Sequence, residues 1–160
     1  MAYTIVPLND EHVDAALAVF NEYVPESFGA YLDAPLSAEA FRALRKSCLA
    51  EFVVMSGKSV AGFGLLRPYH PAPTFKRTGE LSYFIASGHT HRGLGTELLT
   101  QLVRSARDKG IDHVLANVCS LNPESLAFHH KHEFTQCGVF RNVGKKNGRD
   151  FSVVWFEKKI

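Results

Sequence analysis

Cysteine is scarce in this sequence: three in 160 residues, Cys48, Cys119 and Cys137. The count is odd and no Cys-x-x-Cys pair occurs, which argues against a disulfide framework and against a zinc site built on thiolates. Reduced thiols in a cytoplasmic protein are the expectation. Excess charge of either sign is lacking too. The formal net charge is +2, too small to call for a nucleic-acid or membrane partner. No apolar run is long enough to span a bilayer. The start "MAYTIVPLNDEH" has neither the basic flank nor the long apolar stretch of a secretory signal. Repeats and low-complexity segments are absent. What is there, 46% hydrophobic and 21% charged residues, is ordinary globular composition with enough chain for a sizeable core. One unit over residues 1–160 is expected.

Hydrophobic spacing then divides the chain. "AYTIVPL" is β-rich and stops at "ND", where Asn9 or Asp10 can cap a helix with Val13, Ala16, Leu17 and Phe20 on one face. "NEYVPESFGAYLDAPL" is broken by Pro25, Gly29 and Pro35, and Ser37 caps a second helix with Phe41 and Leu44 inward. "EFVVMSGKSVAGFGLLRPY" reads as a hairpin turning at Ser56-Gly57-Lys58. "GELSYFIAS" is a strand that alternates Leu81, Tyr83 and Ile85 against Glu80, Ser82 and Phe84. A helix follows with Leu94, Leu98, Leu102 and Ala106 in one stripe, ending at Lys109-Gly110. "IDHVLANVC" is a strand. "NPESLAFHHKH" is a helix with Asn122 as cap and Pro123 at its first position. Two strands joined around Lys145 to Gly148 close the chain. The order β-α-α-β-β-β-α-β-α-β-β implies an α/β (α+β) fold with a mixed central sheet.

Between the strand from Gly79 and its helix lies "HTHRGLGTELL". A helix N-terminus offers unpaired N–H groups and roughly half a positive charge, and glycines let the backbone approach an anion. "RGLGTE" can therefore cradle a diphosphate or be a tight turn and nothing more. A nucleotide of the Walker type is excluded because the pattern lacks its Lys. A dinucleotide fingerprint needs a third glycine where Leu98 stands.

Residues 80–131 resemble the Gcn5-related N-acetyltransferase (GNAT) superfamily. Its acetyl-coenzyme A signature, [QR]-x-x-G-x-[GA], falls on "THRGLG", with Thr90 departing at the first place. "NPESLAFHHKHEF" is similar to the N-P-x-S-x-x-L-H-x-K-x-G-F run of the phosphinothricin acetyltransferase-like branch. It matches at Asn122, Ser125, His129, Lys131 and Phe134, and Glu133 replaces Gly. The resemblance implies a mostly antiparallel sheet splayed between its fourth and fifth strands and flanked by about four helices. It implies acetyl-CoA on Tyr83, Phe84 and Ile85 (pantetheine arm), on His91, Arg92, Gly93, Leu94, Gly95 and Thr96 (diphosphate), and on Asn122 and Ser125. Glu80 would be the base that deprotonates the acceptor amine, and His129 either the acid for the leaving thiolate or a helix histidine that packs or only contacts the cofactor. Glu26, Phe28, Tyr31, Tyr69 and His70 would wall the acceptor. Where the branch tends to carry Gly-x-x-Gly-x-Trp-x-Asp, this chain has Asp150 and Ser152 in place of the Trp and the Asp, so the acceptor itself is not carried over.

The bottom-up chemistry agrees. A carboxylate suits proton removal from an ammonium and an imidazole titrates near neutrality. Strand N–H groups can polarise the carbonyl. His129, His130 and His132 share a helix, and His89 and His91 lie nearby. Yet i, i+3 spacing supplies two ligands and no acidic partner, so no metal is expected. Cys119 is expected as a small buried residue rather than a nucleophile. The expected function is N-acetylation of a small amine or amino acid from acetyl-CoA by direct attack, in a cytoplasmic homodimer, with no nucleic acid or membrane. The alternatives are a protein or peptide N-acetyltransferase and a non-catalytic acyl-CoA sensor.

Overall fold

The computed structural model describes residues 2–160. Eleven elements follow in the predicted order: β1 (Tyr3–Pro7), α1 (Val13–Glu22), α2 (Ala38–Arg45), β2 (Ala50–Ser56), β3 (Ser59–Pro68), β4 (Thr78–Ile85), α3 (Leu94–Asp108), β5 (His113–Cys119), α4 (Pro123–Lys131), β6 (Thr135–Lys146) and β7 (Arg149–Lys159). The caps fall where side-chain chemistry puts them. Ser37 accepts from the Ala40 N–H and starts α2, and Asn122 accepts from the Ser125 N–H and starts α4. Short 3-10 turns fill the remaining corners, the first over Asp10–His12 behind Asn9.

The strands form one sheet in the order β1-β2-β3-β4-β5-β7-β6. Strand alternation sends neighbours to opposite faces. Val53 packs with Val13, Ala16, Leu17 and Phe41 on the α1–α2 side, while Val54 packs with Leu94 and Leu98 on the α3 side. Leu98 and Leu102 are fully buried, which is worth about 1.5–3 kcal/mol for each side chain. Below them Leu66, Leu81, Val114 and Phe156 continue that core toward α4.

All neighbours are antiparallel except β4 and β5. Those two run parallel, and they pair only at Thr78–Glu80 against His113–Leu115. β4 is held by β3 up to Ile85 opposite Gly62, and β5 by β7 up to Cys119 opposite Val153. Each half of the sheet is thus satisfied without the other, and the seam is free to open beyond Glu80. The expected splay between the fourth and fifth strands is present.

The β6–β7 hairpin carries one irregularity that matters. The register shifts between Phe140 and Gly144, with Asn142 at φ 51°. A Cβ on Gly144 would lie 2.1 Å from the Phe151 ring, so only glycine lets that ring cross toward the loop after α1.

Candidate active site

The opened seam is the mouth of a cavity of about 790 Å³. Its walls come from β4, the N-terminus of α3, the end of β5, α4 and the loop after α1. The alternation of β4 divides it. Phe84 packs on Phe20 and Phe63 of the α1–α2 side, and Glu80 and Ser82 share that face. Tyr83 packs on Phe128 and His129 of α4. Glu80 and His129 both border this one cavity.

At one end stands the glycine loop. His91 (φ 59°) and Gly93 (φ 80°) both take the left-handed conformation, which glycine adopts freely and histidine does not. No side chain caps α3, and its first backbone bond runs from Glu97 to Gly93. The N–H groups of Leu94, Gly95 and Thr96 are therefore available to an anion. These three residues, with His91 and Gly93, line the cavity. Arg92 does not. It is exposed, as are His91 and Gly93 on either side of it. The Thr96 hydroxyl is also hydrogen-bonded to His132 Nε2 at 3.0 Å. Asn122 and Ser125 also line the wall.

Glu80 sits deeper, with its side chain 16% exposed. Its Oε1 accepts from Arg67 Nη2 at 3.1 Å and from Asn117 Nδ2 at 2.9 Å. Arg67 also donates to Ser82 Oγ, and its Nε is sealed without a partner. The Tyr31 hydroxyl donates to Asn117 Oδ1 at 2.9 Å. Burial raises the Tyr31 pKa, helped by the nearby Cys119 and Glu80. Burial likewise pushes the Cys119 thiol up, which disfavours a thiolate nucleophile.

His129 lines the cavity from within a packed aromatic cluster. It is 2% exposed, stacked between Tyr83 and Phe156. Its Nδ1–H donates to the Ser125 carbonyl at 2.7 Å, and the Tyr83 hydroxyl is bonded to Nε2. Desolvation lowers its pKa. A neutral imidazole has one N–H, already committed here, so no proton is left on Nε2 for a thiolate.

Of the expected acceptor wall, Phe28 and Tyr31 line the cavity, whereas Glu26, Tyr69 and His70 lie outside it. Tyr69 and His70 follow the last β3–β4 pair, Pro68 with Gly79, and cluster with Phe75 at the surface. Glu26 is exposed beside Pro25, whose carbonyl accepts from Asn147. The loop carrying Phe28 and Tyr31 is clamped from the far end of the chain. Lys146, 3% exposed, donates through Nζ to the carbonyls of Ser27 at 2.6 Å, Ala30 at 2.7 Å and Tyr23 at 3.4 Å. Tyr31 stacks on Phe151 at 5.7 Å, and Phe28 meets the same ring edge-on.

Arg67, Asn117, Ser82 and Lys146 escaped the sequence reading. Asn117 left a signal, as the lone polar residue inside "VLANVC". Arg67, closing "GFGLLR", left another. Lys146 gave none, since a lysine before a hairpin turn reads as solvated. Among the described residues no cluster of three or more metal-ligating side chains occurs, and no helix is long and apolar enough to cross a membrane.

Comparison with known proteins follows the same lines. The profile of the acetyltransferase (GNAT) family matches residues 16–134. A phosphinothricin N-acetyltransferase of Streptomyces coelicolor is 26% identical over 103 residues, covering 64% of this chain and 60% of that protein. An L-methionine sulfoximine/L-methionine sulfone acetyltransferase of Salmonella typhimurium is 29% identical over 101 residues, covering 63% and 59%. The chain thus matches about 60% of the length of each of these two relatives. The crystal structure of a ribosomal-protein-alanine N-acetyltransferase from Brucella melitensis superposes with a TM-score of 0.90 at 25% identity, over 98% of this chain and 99% of that one.

Proposed function

Since the chain belongs to the acetyltransferase (GNAT) family, we propose that it moves an acetyl group from acetyl-CoA to the primary amine of a small molecule or amino acid, by direct attack in a ternary complex. One observation carries this reading. The unpaired stretch of β4 opens into a cavity that has uncapped helix N–H groups at one end and a carboxylate at the other. A diphosphate fits the first, an amide-bearing arm fits the strand edge, and an ammonium fits the carboxylate.

Acetyl-CoA supplies the acetyl group as an activated thioester. His91, Gly93, Leu94, Gly95 and Thr96 hold the diphosphate through their backbone. Tyr83, Phe84 and Ile85 offer the edge for the arm, and Asn122 and Ser125 flank it. Glu80, directly or through a water, takes one proton from the acceptor ammonium. The neutral nitrogen attacks the thioester carbon, which strand N–H groups polarise. The C–S bond breaks, and the second ammonium proton leaves on the thiol. His129 holds Tyr83 in place instead of donating. Phe28 and Tyr31 wall the acceptor, and the names of the relatives favour one shaped like an amino acid. The exposed Phe140 and Val143 on the edge strand β6 favour a homodimer, which light scattering checks as twice the chain mass.

The test is turnover of acetyl-CoA against L-amino acids, L-methionine sulfoximine, phosphinothricin and alanine-starting peptides. Glu80→Gln is expected to lower kcat by roughly 10²–10⁴-fold with acetyl-CoA affinity retained. Binding of acetyl-CoA without turnover of any amine points to a sensor, and turnover of the peptides alone to a protein acetyltransferase.

A further inference from the structure

Glu80 has two carboxylate oxygens, and the protein treats them differently. Both protein donors, Arg67 Nη2 and Asn117 Nδ2, converge on Oε1. Oε2 has no protein donor among the described residues. It is also absent from the sealed polar atoms that lack a partner, which are Arg67 Nε and Trp155 Nε1. Glu80 lines the cavity, so this unsealed, unbonded oxygen is the one left for an acceptor. The last torsion of a glutamate is intrinsically broad, so donors outside the side chain must fix which oxygen faces an acceptor.

The amide that helps to fix it is itself oriented. A carboxylate accepts only, so the NH₂ end of Asn117 must face Glu80. That leaves Oδ1 pointing away, and the Tyr31 hydroxyl donates to it. The flipped amide would set oxygen against carboxylate and leave the hydroxyl facing a donor. Tyr31 comes from the loop that Lys146 clamps, and Asn117 from the far side of the open seam, two residues past the Leu115 that pairs with Glu80. The chain Tyr31 to Asn117 to Glu80 thus ties the acceptor wall to the carboxylate across the splay.

We infer that Asn117 and Tyr31 are positioning residues that aim Oε2 of Glu80 at the acceptor amine. The inference rests on Glu80 being the base. Tyr31, placed on the acceptor wall by its ring, gains a second task through its hydroxyl.

A double-mutant cycle with the best acceptor of the turnover panel tests it. Asn117→Ala is expected to lower kcat roughly tenfold, the scale of one hydrogen bond to a charged group, with acetyl-CoA affinity unchanged. In a Glu80→Gln background the same substitution is expected to cost nothing further, because there is no base left to aim. Tyr31→Phe keeps the ring and is expected to lower kcat several-fold by the same route. An effect on acceptor KM alone would mean a wall residue and would overturn the inference for Tyr31. An equal loss from Asn117→Ala in both backgrounds, or none in either, overturns it for Asn117. Should Asn117→Ala fail to fold, the Tyr31→Phe cycle decides. If Glu80→Gln itself keeps full turnover, or if the unaltered protein acetylates no amine, the base reading falls and this inference falls with it.

Discussion

Lys146 shows how far one residue can reach. Its ammonium holds three backbone carbonyls of a loop more than a hundred positions earlier in the chain. Burial lowers its pKa, yet the carbonyls reward the charged form. Lys146→Met fills the volume and removes the donor, leaving buried oxygens unpaired. The expected cost is about 2–3 kcal/mol, a fall in melting temperature of roughly 5–10 °C for a chain of this size. Because the loop carries Phe28 and Tyr31, acceptor KM is expected to rise with acetyl-CoA affinity intact, and steady-state kinetics reads the split. His129 gives a pH signature. Its folded pKa lies below the usual 6.5 through desolvation, so between the two values the unfolded chain holds the proton and the fold does not. Stability therefore falls as pH drops below about 6.5 and levels off beneath the depressed folded value. His132 is shifted the same way. Urea titrations from pH 7 to 5 should show this slope, and His129→Gln should reduce it without abolishing it.

At the scale of elements, the start of α3 is where local chemistry and ligand chemistry coincide. Gly93 caps the helix at φ 80°, and a Cβ there meets nothing within 4 Å. Gly93→Ala should then cost only backbone strain, about 1–2 kcal/mol, or roughly 2–8 °C in melting temperature. A larger penalty is expected in acetyl-CoA affinity, since the open space beside Gly93 is where a diphosphate must approach. Calorimetry with and without the cofactor separates the two. The order of all eleven elements and the side-chain caps of α2 and α4 could be read in the sequence because they rest on local signals: Ser37, Asn122, Pro123, Gly110 and the 3.6-residue stripe of Leu94, Leu98 and Leu102. So could Glu80 and the glycine loop, which lie within a few residues of the strand and helix that present them. What the sequence hid was contact between distant segments. Tyr69 and His70 stood near the site in sequence but follow the last β3–β4 pair, and Asn117 and Lys146 found partners that no periodicity announces.

Over the whole molecule, the sheet behaves as two sheets sharing a short seam. β1 to β4 pair continuously on one side, and β5, β7 and β6 on the other, with only Thr78–Glu80 joined to His113–Leu115 between them. A sheet interior normally leaves no edges, but here β4 presents one, inside the protein rather than at its rim. The Tyr23 hydroxyl already donates to the Ile85 carbonyl; the other N–H and C=O groups of such an edge take partners from water or from a ligand. Acetyl-CoA bound in the seam would supply them and bridge the halves, so its effect should be global as well as local. At 100 times its Kd it is expected to add about 2.7 kcal/mol, or roughly 5–11 °C in melting temperature. Hydrogen exchange should locate the gain: slower exchange at the β5-facing amides of residues 81–85 and at residues 94–96, and little change in β1, β2 or β6. ATP and NAD offer a diphosphate but no pantetheine arm. They should at most protect residues 94–96, and protection of residues 81–85 by either nucleotide would show that the seam is not a coenzyme A strand site.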